Sequence, residues 1–150
     1  MASSNQFTQI SGKALWTGRV LTGLALLFLL FDSIVKILKL SVAVQATTQL
    51  GYPAGVILPL GIVLLVCVVL YGLPRTSALG AILLTGYLGG AVATHVRVGN
   101  PLFSHVLFPV YIALLIWGGL YLRDPRLRAL LPVSQSAASK ATGQAAGSSR

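Results

Sequence analysis

Two aspartates, two histidines and one cysteine are the whole supply of carboxylate, imidazole and thiol groups in this 150-residue chain. Asp32 closes a run of twelve uncharged, mostly apolar residues, Val20 to Phe31, and Lys36 follows it four residues later. On a helix the two share a face, and acid before base is the better order for pairing. Asp32 as general base, with His95 or His105 as acid, is enough for a proton-transfer reaction such as isomerisation. The same groups suit a binding site. There His95 and His105 exchange hydrogen bonds with a carbonyl or hydroxyl, Asp32 orients a histidine or takes a proton, and Arg97 sets the field. Two histidines and one aspartate form a conceivable metal set, but Lys36 and Arg97 oppose a cation and no ligand-spaced pair sits on one helix. No metal is expected. A purely structural reading stands beside these: Asp32 ties its helix to Lys36, Arg97 or a histidine. Cys67 has no partner for a disulfide or a redox pair and reads as a small packing residue.

The elements that must position these residues are membrane helices. Hydrophobic residues make up 55% of the chain and charged residues 9%, against about 25% charged in soluble domains. Too little polar side chain remains to cover a water-facing surface. The formal net charge of +9 suggests nucleic acid only until its distribution is seen: Lys and Arg border apolar runs and build no basic face with aromatics. A helix needs about 20 apolar residues to cross a bilayer. Four stretches qualify, at roughly 15–38, 54–73, 77–96 and 102–122. The expected architecture is an all-α, integral-membrane four-helix bundle over 14–131, after an N-terminal segment, 1–13, and before a small, polar, disordered tail, 132–150. A cleaved signal peptide is disfavoured, since the first apolar run is long, Lys36 and Lys39 follow it directly and three more spans come after.

Lys13, Arg19, Arg75, Arg123, Arg126 and Arg128 flank one side of the spans, and Lys36, Lys39 and Arg97 the other. Six against three makes the first side cytoplasmic and places both termini there, in a bacterial inner membrane. Arg19 should snorkel to the headgroups, and Trp16, Trp117 and Tyr121 should anchor the interface. Asp124 and Pro125 read as a solvated helix stop. Between the first two spans, Ser41 should cap a short interfacial helix on the outer face that ends at Gly51. Pro59 and Pro109 should kink their helices by removing bonds to Gly55 and His105. Gly86, Gly90 and Thr94, and beside them Ala81, Thr85, Gly89 and Ala93, form two small-residue stripes. These place the third span centrally with a neighbour on each stripe, or in a homodimer seam. Topology then brings Asp32, Lys36, His95, Arg97, Asn100 and His105 to one level near the outer face.

LGYP at 50–53, YGLPRTSALGAILLTGYLGGAVATHVRVGNP at 71–101, LRDPRLRALLP near the C-terminus and the FDSIVK segment resemble the DoxX-like family of small bacterial membrane proteins. The resemblance spans roughly 14–132 and implies a four-helical fold. The family's namesake resembles a membrane subunit of a quinone-reducing sulfur oxidoreductase, which implies a quinone- or lipid-facing role here. Three functions follow as expectations. One is a binding or accessory subunit, alone or in a larger membrane complex, holding a quinone or lipid in a pocket at the outer end. Another is a small enzyme of acid–base or quinone-linked redox chemistry. The third, a proton or small-solute path, needs an oligomer. No flavin, haem or nucleotide motif is present.

Overall fold

The computed structural model describes residues 12–130. Helix α1 spans Gly12–Ile37, α2 Ser41–Gln49, α3 Ile57–Gly72, α4 Ser77–Arg97, α5 Phe108–Arg123 and α6 Pro125–Leu130. A 3₁₀ turn, Ala54–Val56, leads into α3, and a π turn, Leu102–Val106, leads into α5. With those turns included, four helices are long and apolar enough to cross a membrane, and their limits match the four stretches expected from hydropathy. The protein is an all-α, multi-pass membrane bundle, with a short helix between the first two spans as expected.

The spans form a ring in the order α1, α3, α4, α5, each antiparallel to its neighbours. Neither the α1–α4 nor the α3–α5 diagonal has a backbone contact. The expectation that the third span is central is therefore corrected: among the described spans α4 borders α3 and the fourth span, α5 with its π turn, whereas α1 carries the two most extensive interfaces, with α5 and α3. Its small residues do not all mediate packing. A Cβ on Gly86, Gly89 or Gly90 would meet nothing within 4 Å. The close approaches lie elsewhere. A Cβ on Gly80 would come 2.2 Å from the Tyr71 backbone nitrogen, and one on Gly119 would come 2.6 Å from the Thr22 hydroxyl. Gly18 meets α5 in the same crossing. Lipid provides no hydrophobic drive between helices, so such backbone approach is what holds them.

At the end of the bundle away from α2, Tyr71 fills the middle. It is fully buried, and its hydroxyl donates to the Ile116 carbonyl at 2.9 Å, across the α3–α5 diagonal. Arg123 caps α3 by donating to the Tyr71 carbonyl at 3.3 Å and lies over the Tyr71 ring. Arg19 and Trp16 are exposed there. Trp117, expected as an interface anchor, donates its indole N–H to Thr85 Oγ1 at 2.9 Å and links α5 to α4. Cys67 is buried in the apolar core. Asp124 and Pro125 do stop α5, and Asp124 Oδ1 then accepts from the Arg126 amide at 2.9 Å. The short helix α6 that follows was not legible in advance. Its Arg128 donates back to the Tyr121 and Leu122 carbonyls.

The helix ends nearest α2 share one device. After α1, α2 and α4 the chain takes a left-handed residue, Lys39 (φ 50°), Gly51 (φ 82°) and Gly99 (φ 73°) respectively. Each is followed by a 6→1 bond: Leu40 to Val35, Tyr52 to Thr47 and Asn100 to His95. These are Schellman caps, which satisfy carbonyls that the helix leaves free. The cap expected from Ser41 is not made, since Leu40 is the N-cap residue of α2 and no side chain caps it. The proline kinks are also corrected. Pro59 and Pro109 sit in the first turns of α3 and α5, where a missing N–H costs little. The 3₁₀ and π turns before them absorb the irregularity, with Leu107 N–H bonding Leu102 O at 2.9 Å. The expected disordered tail, 132–150, and most of the N-terminal segment, 1–13, lie outside the described residues.

Gly80→Ala should cost about 3 kcal/mol through overpacking, read as a lowered thermal midpoint in detergent. Gly86→Ala should stay within about 0.5 kcal/mol or be stabilising, and equal effects at the two sites would contradict the assignment. Lys39 holds a left-handed conformation that costs a side chain about 1 kcal/mol. Lys39→Gly should therefore raise the midpoint by a comparable amount of stability.

Candidate functional site

The unfilled α1–α4 diagonal at the α2 end opens a cavity of about 420 Å³, inside the size range of small-molecule sites. All four spans and the α2 connection line it. From α1 come Phe28, Asp32 and Lys36, which face one way because they recur every fourth residue. From α4 come Tyr87 and His95, with Gly86 and Gly90 between the ridges. The vacant glycine surfaces thus make room for the cavity rather than for a neighbouring helix. Phe108, Pro109 and Ile112 of α5, and Leu60 of α3, supply apolar wall. Thr47, Leu50 and Tyr52 close the α2 end.

Asp32 and Lys36 form the expected ion pair. The Lys36 side chain is 19% exposed and that of Asp32 33%, so the pair lines the cavity without being sealed. The Asp32 carboxylate is engaged by Lys36 rather than by Arg97 or either imidazole. His95 also lines the cavity. The Asn100 amide nitrogen lies 2.8 Å from its Nδ1. With that nitrogen donating, the neutral ring carries its hydrogen on Nε2, free for another acceptor. The cap after α4 sets this contact, since the Gly99 turn folds Asn100 back over the last turn of the helix.

Of the six residues expected at one level, three line the cavity and three do not. Arg97 is two residues past His95, about 200° around the helix, and so leaves the cavity face. It donates to the Leu50 carbonyl at 2.7 Å and lies 5.8 Å from the centre of the Tyr52 ring. Asn100 contacts His95 but does not line the cavity. His105 lies in the π turn, exposed, with its ring 5.9 Å from that of His95 and its Nδ1 2.8 Å from the Ser104 hydroxyl. The two imidazoles do meet, but His105 stays outside the cavity lining. Among the described residues, no three His, Cys, Asp or Glu side chains gather as a metal set.

Sequence reasoning missed Tyr52 and Tyr87. Tyr87 had a signal: Tyr87, Ala91 and His95 are spaced by four and so share a face of α4. Tyr52 had none, because its position depends on the turn at Gly51 and on α4 across the gap. The Thr94 hydroxyl donates to its own helix at Gly90 O, so the Tyr52 hydroxyl is the donor in the 2.8 Å bond to Thr94. That bond and the Arg97–Leu50 bond tie the α2 connection across the cavity mouth to α4.

The lining thus combines one carboxylate, one ammonium, an imidazole and two phenols with aromatic and aliphatic walls. The spare donors are Lys36, His95 Nε2–H and the Tyr87 hydroxyl, and the free Asp32 oxygen accepts. The arrangement can hold a molecule with an uncharged polar head and an apolar body. The sequence model of the DoxX-like family matches residues 20–119, which include α1 from Val20 through most of α5 and every cavity-lining residue. Comparison with curated proteins and with solved structures returned no match. The family match covers two-thirds of the chain and joins the FDSIVK, LGYP and TGYLGGAVATH segments that build the cavity, so the chain belongs to the DoxX-like family.

Proposed function

We propose that this protein is a binding or accessory subunit of the bacterial inner membrane that holds a small amphipathic molecule, a quinone or a lipid, in the cavity between α1 and α4. The excess of Lys and Arg at the end away from α2 supports cytoplasmic termini, and so an outward-facing cavity. The observation that carries the reading is the make-up of the lining: Asp32 and Lys36 balance one another, while His95 Nε2 and the Tyr87 hydroxyl offer hydrogen bonds above an apolar floor of Leu29, Leu88 and Ile112. Balanced charge favours a neutral head over a phosphate, which Asp32 would repel. A carbonyl oxygen would accept from His95 or Tyr87, and the body of the molecule would rest on the apolar floor. In such a low-dielectric site each polar contact counts for more than it would in water.

The second reading is a small enzyme of acid–base, isomerase-like or quinone-linked redox chemistry. It is favoured by one observation, that Asp32 and His95 line the same cavity. The engagement of Asp32 by Lys36 supports holding over turnover. A bound quinone would supply the redox chemistry in the second reading, and Lys36, His95 and Tyr87 would only orient it.

Native mass spectrometry of the protein released from mild detergent tests the first reading. The wild-type chain should carry a co-purified neutral amphiphile. His95→Ala and Tyr87→Phe should fold normally and retain it several-fold less well, while Arg97→Lys, outside the lining, should retain it fully. A wild-type protein with no adduct in any mild detergent, or adducts unaffected by both lining substitutions, would refute the assignment. Turnover lost in Asp32→Asn with the adduct still bound would favour the enzyme.

A further inference from the structure

The cavity has two possible mouths, and they are built differently. Toward the α2 end it is closed by a strap, the connection from α2 to Tyr52, which is fastened to α4 by the Tyr52–Thr94 and Arg97–Leu50 hydrogen bonds. Between the neighbouring helices α1 and α5 it is bordered by two aromatic side chains. Phe28 and Phe108 both line the cavity, and both are partly exposed, 38% and 42%. Their rings meet edge to face at 5.3 Å and 71°. Such a contact is worth only about 0.5–1.5 kcal/mol, and breaking it into hydrocarbon uncovers no polar group. Releasing the strap would break two hydrogen bonds.

The backbone behind Phe108 is suited to movement. Phe108 is the first residue of α5, one residue after the π turn, and Pro109 beside it donates no hydrogen bond. On α1, Phe28 stands one helical turn, about 6 Å, before Asp32 on the same face. A head seated at the Asp32–Lys36 pair therefore has its first tail atoms at the level of the Phe28–Phe108 contact.

Resting on the proposed binding role, we infer that the ligand reaches the cavity sideways from the membrane, between α1 and α5, with Phe28 and Phe108 as the gate. This narrows the ligand class to membrane-resident amphiphiles whose apolar chain leaves the cavity through that gate into the acyl region. A water-soluble solute crossing the strap is the alternative that the latches disfavour.

The test is photolabelling of the full chain in liposomes containing a fatty alcohol with a diazirine in its alkyl chain. The labelled residues are mapped by mass spectrometry. Cavity residues deep to the gate, Leu29, Tyr87 and Ile112, should be labelled. Phe28→Ala and Phe108→Ala should each raise the initial rate of that labelling several-fold, and Phe28→Trp should lower it. Arg97→Ala, which releases one end of the strap, should leave it unchanged. Both Phe28 variants sit at an exposed position, and their opposite signs separate gating from loss of fold. Cavity labelling that ignores Phe28 and Phe108 but rises in Arg97→Ala overturns the gate and leaves the binding role standing. Absence of any labelling at Leu29, Tyr87 and Ile112 overturns both.

Discussion

In a bilayer, helices gain little by hiding apolar side chains from one another, so backbone approach and a few buried hydrogen bonds must hold them. Here that constraint is met unevenly along the bundle. Away from α2, Gly80 lets α4 start hard against the end of α3, and Gly18 and Gly119 do the same for α1 and α5. Tyr71 then plugs the middle and bonds across to Ile116. Near α2, Gly61 keeps α3 close to α1, but α4 presents Gly86 and Gly90 with nothing against them. The cavity is the consequence of packing one end of a four-helix ring and leaving one diagonal of the other end empty.

That emptiness makes the polar residues usable. A charge in hydrocarbon is expensive unless paired or wetted. Asp32 and Lys36 satisfy one another on a single helix face and border an open volume. Their pairing frees His95 from any carboxylate, and Asn100 then decides which ring nitrogen is available. The layer beyond it consists of Arg97, the last residue of α4, which holds the strap, and of Ser104 and His105 in the π turn. It shapes the cavity mouth without lining the cavity.

The same small residues illustrate how an inference from pattern can be sound in chemistry and wrong in use. Glycine at spacing four does permit close approach, and the bundle depends on close approach. The glycines that deliver it are Gly18, Gly61, Gly80 and Gly119, which belong to no conspicuous stripe, whereas the stripe on α4 lines a void. Pattern reports what a surface permits. Whether a neighbour arrives depends on where the short turn at Pro74 and the long connection through α2 deliver the following helices.

The sequence by itself determined the solvent, the four spans, their limits within a few residues and the pairing of Asp32 with Lys36, because hydropathy and i,i+4 spacing are local properties of one helix. It also carried the family resemblance. Ring order, the empty diagonal, the recruitment of Tyr52 and Tyr87, and the exclusion of Arg97 and His105 from the cavity were decided only by tertiary structure. Each depends on rotation of one helix about its axis relative to another, or on left-handed turns such as Gly51 and Gly99. A single residue of register, about 100° of helix, moves a side chain from cavity to lipid, and nothing local to α4 fixes that angle.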